Sequence, residues 1–99
     1  MKLTSTQLTQ QLAKVPDWQF ENDAIRTTFK FTDFVDAFAF MSAAALHAEK
    51  LNHHPTWTNT YNRVDIALST HEEGGVTELD INLASHLSVV AKQLGATSK

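Results

Sequence analysis

The apolar residues of this chain change period three times, and that alternation limits the folds open to it. From residue 25 to 31 the period is two. Ile25, Thr27, Phe29 and Phe31 fall on one side, with Arg26, Thr28 and Lys30 on the other, the pattern of an antiparallel strand with one face in a core. From Phe34 the spacing becomes three to four, through Phe38, Met41, Ala45 and Ala48, and Ala37, Ala44 and Leu51 widen the stripe. This predicts a helix over 33–52 capped by Thr32 or Asp33. Val64, Ile66 and Leu68 return to period two, in a strand that ends near Thr70. Leu79, Leu83, Leu87, Val90, Ala91 and Leu94 then form a last helical stripe, which Gly95 ends.

Shorter signals complete the order. Thr4 with Gln7 has the form of a capping box, and Pro16 disfavours helix at Val15, so a first helix is expected over 5–14. Trp18 and Phe20 alternate about Gln19 as a short strand, and Glu21-Asn22-Asp23 supplies a turn. Residues 57–60 read as a strand, Tyr61-Asn62 as a turn, and His71–Val76 as a loop carrying Gly74-Gly75. The expected order is α-β-β-α-β-β-α. That order favours an α+β fold, a four-stranded antiparallel sheet with helices packed on one face. With no repeat or linker, residues 1–99 are expected to form one domain.

Charge and composition exclude several functions. The net charge is −3, and the eight Lys and Arg residues are scattered, which argues against direct nucleic-acid binding. No apolar run approaches the ~18 residues of a membrane span, and the first residues are too polar for a secretory signal. There is no cysteine, hence no disulfide framework and no thiolate metal site. Cytoplasmic residence is the plain expectation.

Chemistry concentrates in the histidines, of which there are five. Imidazole titrates near neutral pH and suits proton transfer. His53 and His54 stand at the predicted end of the long helix, before Pro55. Glu49 lies four residues before His53, the spacing that lets two side chains share a helix face, so Glu49 is expected to orient His53. His71 follows a strand, where site residues are common. Asp80 completes a Thr77 capping box. His47 and His86 read as structural or exposed. Trp57 and Tyr61 read as packing residues, and Trp18 as a candidate for the site rim. Adjacent histidines do not reproduce the i,i+4 zinc pair, although His53, His54 and His71 gathered in space form a competing zinc site.

The run Glu49-Lys50-x-x-His53-His54-Pro55-x-Trp57-x-Asn59-x-Tyr61-Asn62-x-Val64-x-Ile66-x-Leu68-x-Thr70-His71, with Gly and Asp80 beyond it, resembles the pterin-4a-carbinolamine dehydratases. The resemblance extends from about Trp18 to about Leu94. It implies dehydration of 4a-hydroxytetrahydropterin to quinonoid dihydropterin, which regenerates the pterin of aromatic amino acid hydroxylases without a metal or redox cofactor. It further implies His53 and His71 as complementary acid and base, with Asp80 as an orienting acid for His71. His54 would hold the pterin, and Pro55, Thr70, Glu72 and Glu73 would line its edge. Which histidine is the acid depends on which face of the ring carries the hydroxyl. The family also implies a homotetramer paired through helices. Some animal members stabilise dimers of a homeodomain transcription factor, so an interaction role of coactivator type is the alternative to the enzyme.

Overall fold

The computed structural model describes residues 1–98. Its elements are α1 (Ser5–Leu12), β1 (Gln19–Glu21), β2 (Ala24–Lys30), α2 (Phe34–Leu51), β3 (Thr56–Thr60), β4 (Arg63–Leu68), a 3-10 turn (His71–Glu73), α3 (Glu78–Gln93) and β5 (Thr97–Ser98). The sheet is antiparallel in the order β1-β2-β4-β3. The predicted α-β-β-α-β-β-α order is therefore present, with one addition. The two-residue β5 pairs with the end of β2, at Phe29 and Lys30. A segment this short has no periodicity to read, so the expected four strands become five.

Local chemistry explains the boundaries. Thr4 and Gln7 make the expected reciprocal cap of α1. Asn22 and Asp23 both have positive φ, as a type I′ turn between β1 and β2 requires. Asp33 caps α2 by accepting from the Asp36 N–H at 3.0 Å. At the β3–β4 turn, Asn62 Nδ2 donates to the Phe31 carbonyl and the Phe31 N–H donates to the Asn62 carbonyl, which ties this turn to the end of β2. Among the described residues no helix is long and apolar enough to cross a membrane.

The period-two faces separate as the sequence requires. Ile25, Thr27 and Phe29 of β2 and Val64, Ile66 and Leu68 of β4 are buried, and the helices cover that face. Arg26, Thr28 and Asp65 lie on the opposite, open face. There Thr28 donates to Asp65 at 2.6 Å, and Arg63 Nε meets both Asp65 oxygens at 3.0 and 3.1 Å. The hydrogen bond from Arg63 is the main reason the Asp65 carboxyl is held below its ordinary pKa. Trp18 is a core residue and not a site-rim residue. It is buried edge-on against Phe29, and its indole N–H donates to the Ser88 hydroxyl at 2.9 Å.

The inward face of α2 is the expected stripe turned part-way round. Ala37, Ala44 and Ala48 are buried and Met41 and Leu51 pack on the core as expected, but buried Phe40 takes the place of Phe34 and Phe38, which are exposed. The helix carries two apolar stripes, and spacing alone does not say which one meets the sheet. Phe40 decides it. The ring is fully buried between Phe29 and Phe31, with centroids at 5.6 and 5.2 Å. On α3, Leu83, Leu87 and Ala91 are buried as predicted, joined by Ile81 and Ala84, but Leu79 is exposed.

Candidate active site

The site is built where α2 ends. Asn52 adopts the left-handed conformation (φ 52°, ψ 42°). Its N–H donates to Glu49 O at 3.1 Å and the His53 N–H donates to Ala48 O at 3.0 Å. This is a Schellman closure, and asparagine tolerates the αL geometry better than most residues. The reversal takes His53 off the helical path before its side chain begins, so Glu49 and His53 do not pair. His53 turns instead toward α3, and its Nε2 lies 2.5 Å from Asp80 Oδ1. Glu49 meets His54 Nε2 at 2.9 Å, in an exposed pair. Neither acid meets the ring expected of it: Asp80 lies against His53 and not His71, and Glu49 against His54 and not His53. The i,i+4 argument failed because His53 lies beyond the last helical residue.

Asp80 is fully buried. Its Oδ2 accepts from the Thr77 N–H and from the Thr70 hydroxyl, both at 2.9 Å. The Thr70 and Thr77 hydroxyls are themselves 2.8 Å apart. Thr70 was expected to line the pterin edge, yet it is buried with its hydroxyl committed to Asp80. Its position follows from a backbone pinch around the following loop. The Thr70 N–H donates to Gly75 O at 2.8 Å, and Gly74 takes the positive φ that closes the turn. A Cβ at Gly75 would meet the Lys2 side chain at 3.1 Å, so that chain would have to shift by a few tenths of an ångström.

Two cavities flank this pinch. One, of about 420 Å³, is lined by His54 and His71 together with Asn22, Asp23, Arg26, Thr56, Ser69, Gly74 and Gly75. The other, of about 610 Å³, is lined by His53, Asn52, Thr70, Glu72, Glu73, Thr77 and the N-terminal residues Lys2 and Leu3. Both volumes suit a small-molecule ligand. His54 and His71 therefore share one cavity wall, and His53 lines the other cavity. His71, Glu72 and Glu73 are exposed, and Pro55 is half-buried and in the wall of neither cavity. A third depression of about 520 Å³ lies on the open sheet face and shares Arg26, Thr56 and Ala67 with the His54–His71 cavity.

Several wall residues had no signal in the sequence. Arg26 and the Asn22-Asp23 turn read only as strand and turn, because their nearness to His54 arises from the sheet. Tyr61, expected to pack, is exposed, whereas Trp57 is half-buried against the core. His47 and His86 stack on each other between α2 and α3 with centroids 5.0 Å apart, outside both histidine cavities. Among the described residues, no three His, Asp or Glu side chains gather as metal ligands do. The zinc arrangement of His53, His54 and His71 is not formed.

Known proteins share the sequence pattern and the fold of this chain. Residues 1–90 match the family model for pterin 4 alpha carbinolamine dehydratase. A protein of Brucella ovis and one of Brucella suis biovar 1, each named provisionally as a pterin-4-alpha-carbinolamine dehydratase, are 50% identical to this chain over 92 residues. Those alignments cover 91% of this chain and 95% of each relative. The crystal structure of a transcriptional coactivator/pterin dehydratase from Brucella melitensis superposes with a TM-score of 0.90 at 49% identity, over 92% of this chain and 99% of that one. A match to the family model over nine-tenths of the sequence, together with a common fold at this identity, places the chain in a family: it belongs to the pterin 4 alpha carbinolamine dehydratases.

Proposed function

We propose that this protein dehydrates 4a-hydroxytetrahydropterin to quinonoid dihydropterin and water by histidine acid/base catalysis, serving an aromatic amino acid hydroxylase. The observation that carries the reading is the buried Asp80 carboxylate against His53, beside a cavity that holds His54 and His71. The reaction needs one acid and one base. The C4a–O bond breaks and its oxygen leaves as water with a proton from the acid. A ring N–H passes its proton to the base as the C=N bond forms at C4a. His53 and His71 take these two roles, exchangeable with the face that bears the hydroxyl. His54, steadied by Glu49, holds the pterin, and Glu72 and Glu73 edge the His53 side. Asp80 accepts the Nε2 proton of His53, so proton exchange with substrate runs through Nδ1.

Dehydration of chemically generated 4a-carbinolamine, followed after exhaustive treatment with a metal chelator, tests this reading. Turnover is expected to persist, because proton transfer between imidazoles needs no Lewis acid. Activity lost on chelation and restored by zinc would favour the metal site instead.

A second observation supports self-association. Phe34, Val35, Phe38 and Leu46 leave α2 with an exposed apolar face, and the Phe34 and Phe38 rings lie 5.8 Å apart on it. Such patches mark interaction surfaces. A homotetramer paired through this helix fits the surface, and so does the coactivator-type contact suggested by the Brucella melitensis protein. Phe38→Glu is expected to dissociate the assembly, since an unpaired carboxylate at an apolar contact is strongly penalised. Sedimentation measures it, and a wild-type chain that sediments as a monomer at high concentration would refute the assembly and leave the dehydratase reading intact.

A further inference from the structure

We infer that the Thr70 hydroxyl, backed by that of Thr77, is a positioning group that commits His53 to a single tautomer, with Nε2 protonated and Nδ1 facing substrate. The polarity of the network carries this. A carboxylate only accepts hydrogen bonds, and Asp80 Oδ2 meets one donor of fixed identity, the Thr77 backbone N–H at 2.9 Å. The Thr70 hydroxyl also gives its proton to Oδ2. Thr70 Oγ1 is then the acceptor in its 2.8 Å contact with Thr77 Oγ1, so the Thr77 hydroxyl is the donor there. Thr77 Oγ1 in turn accepts from the Leu79 N–H at 3.2 Å. Every proton in the chain Leu79, Thr77, Thr70 therefore points toward Asp80, and none is left to point the other way.

Asp80 thus meets donors from three directions. Two settle on Oδ2, which leaves Oδ1 for the His53 ring. A donor-saturated carboxylate in a buried setting fixes the ring proton on the nitrogen that faces it. The cap of α3 and the orientation of the site histidine are consequently one structure. Thr77 closes the helix and, through Thr70, holds the acid that holds the imidazole. No side-chain nitrogen or oxygen in this buried group lacks a partner, so removal of one hydroxyl leaves a buried acceptor short of a donor.

This inference deepens the dehydratase reading and rests on it for its kinetic arm only. Thr70→Val keeps the shape and removes the hydroxyl, and Thr70→Ser restores the hydroxyl on a smaller side chain. Thr70→Val is expected to lower dehydration kcat on the order of ten- to a hundredfold, the loss of one hydrogen bond to a charged group, with KM within about twofold. Thr70→Ser should recover most of the rate. The second arm needs no turnover. In 15N-labelled wild-type protein at a pH where His53 is neutral, its proton is expected on Nε2, with Nδ1 bare. In Thr70→Val the ring should exchange between the two tautomers. A wild-type His53 protonated on Nδ1, a folded Thr70→Val with unchanged tautomer and rate, or a Thr70→Ser as slow as valine would each overturn the inference. A wild type that shows the Nε2 tautomer yet does not dehydrate 4a-carbinolamine would sink the dehydratase reading and leave the positioning role standing.

Discussion

Replacing His53 by Ala is expected to lower dehydratase kcat by roughly 10²–10⁴-fold, the range for removal of a general acid or base. His71→Ala should fall in the same range, with less loss wherever the remaining imidazole compensates. The site geometry adds a third variant. Asp80 is fully buried and accepts from His53, Thr70 and the Thr77 N–H. Asp80→Asn substitutes an NH2 for one of the two accepting oxygens, so at least one of those donors must face another donor. Its kcat should drop with that of His53→Ala, and the double variant should be little worse than either single one, because the two residues act as a unit. His54 sits differently, in an exposed pair with Glu49, and His54→Ala is expected to raise KM more than it lowers kcat. His47→Ala and His86→Ala serve as controls, since that stacked pair lies outside both cavities. Steady-state kinetics of the five histidine variants decides the matter. Wild-type turnover in His53→Ala, or none in His47→Ala, would put the chemistry elsewhere.

Phe40→Ala should cost about 3–5 kcal/mol of folding stability, the usual penalty for emptying a buried phenylalanine site. Phe40 is fully buried where α2 meets β2, in tilted and edge contacts with Phe31 and Phe29. Small residues surround it along the helix face, namely Ala37 and Ala44, both fully buried. They have no side chains long enough to fill the space. Against a typical total of about 5–15 kcal/mol, that loss is large. The urea midpoint should fall with little change in m-value. Phe38→Ala, on the exposed stripe of the same helix, should be nearly silent in the dissociated chain. A Phe40→Ala loss below about 1 kcal/mol would mean that the core is not centred on this ring.

The two stripes on α2 show where sequence reading succeeds and where it stops. The change of period at residues 30–34 and again near 64 gave the order of elements, because burial of one sheet face and one helix side imposes those periods. The face of α2 was another matter. Phe34 and Phe38 fit the three-to-four spacing with Ala37, Met41 and Ala44 as well as Phe40 does, and only docking against the sheet selects between them. Ala44, which widens the stripe, lies wholly in the chain's own core. The histidine motif was legible because its chemistry and spacing are dense in sequence. The pairing of acids with rings was not, since it turns on one residue. Asn52 in the left-handed region redirects His53 toward a carboxylate 27 positions away, which no local spacing rule describes. Thr70, expected at the pterin edge, lines the His53 cavity, but its hydroxyl points to Asp80, because the Gly75 pinch sets its direction.

The central claim is that this chain turns over the pterin carbinolamine. Stopped-flow spectroscopy on chemically generated 4a-hydroxytetrahydropterin, with and without the protein, tests it most directly. Quinonoid dihydropterin should appear faster than in buffer alone, at a rate that rises in proportion to protein concentration and falls with His53→Ala. A rate equal to the spontaneous one at every protein concentration would contradict it.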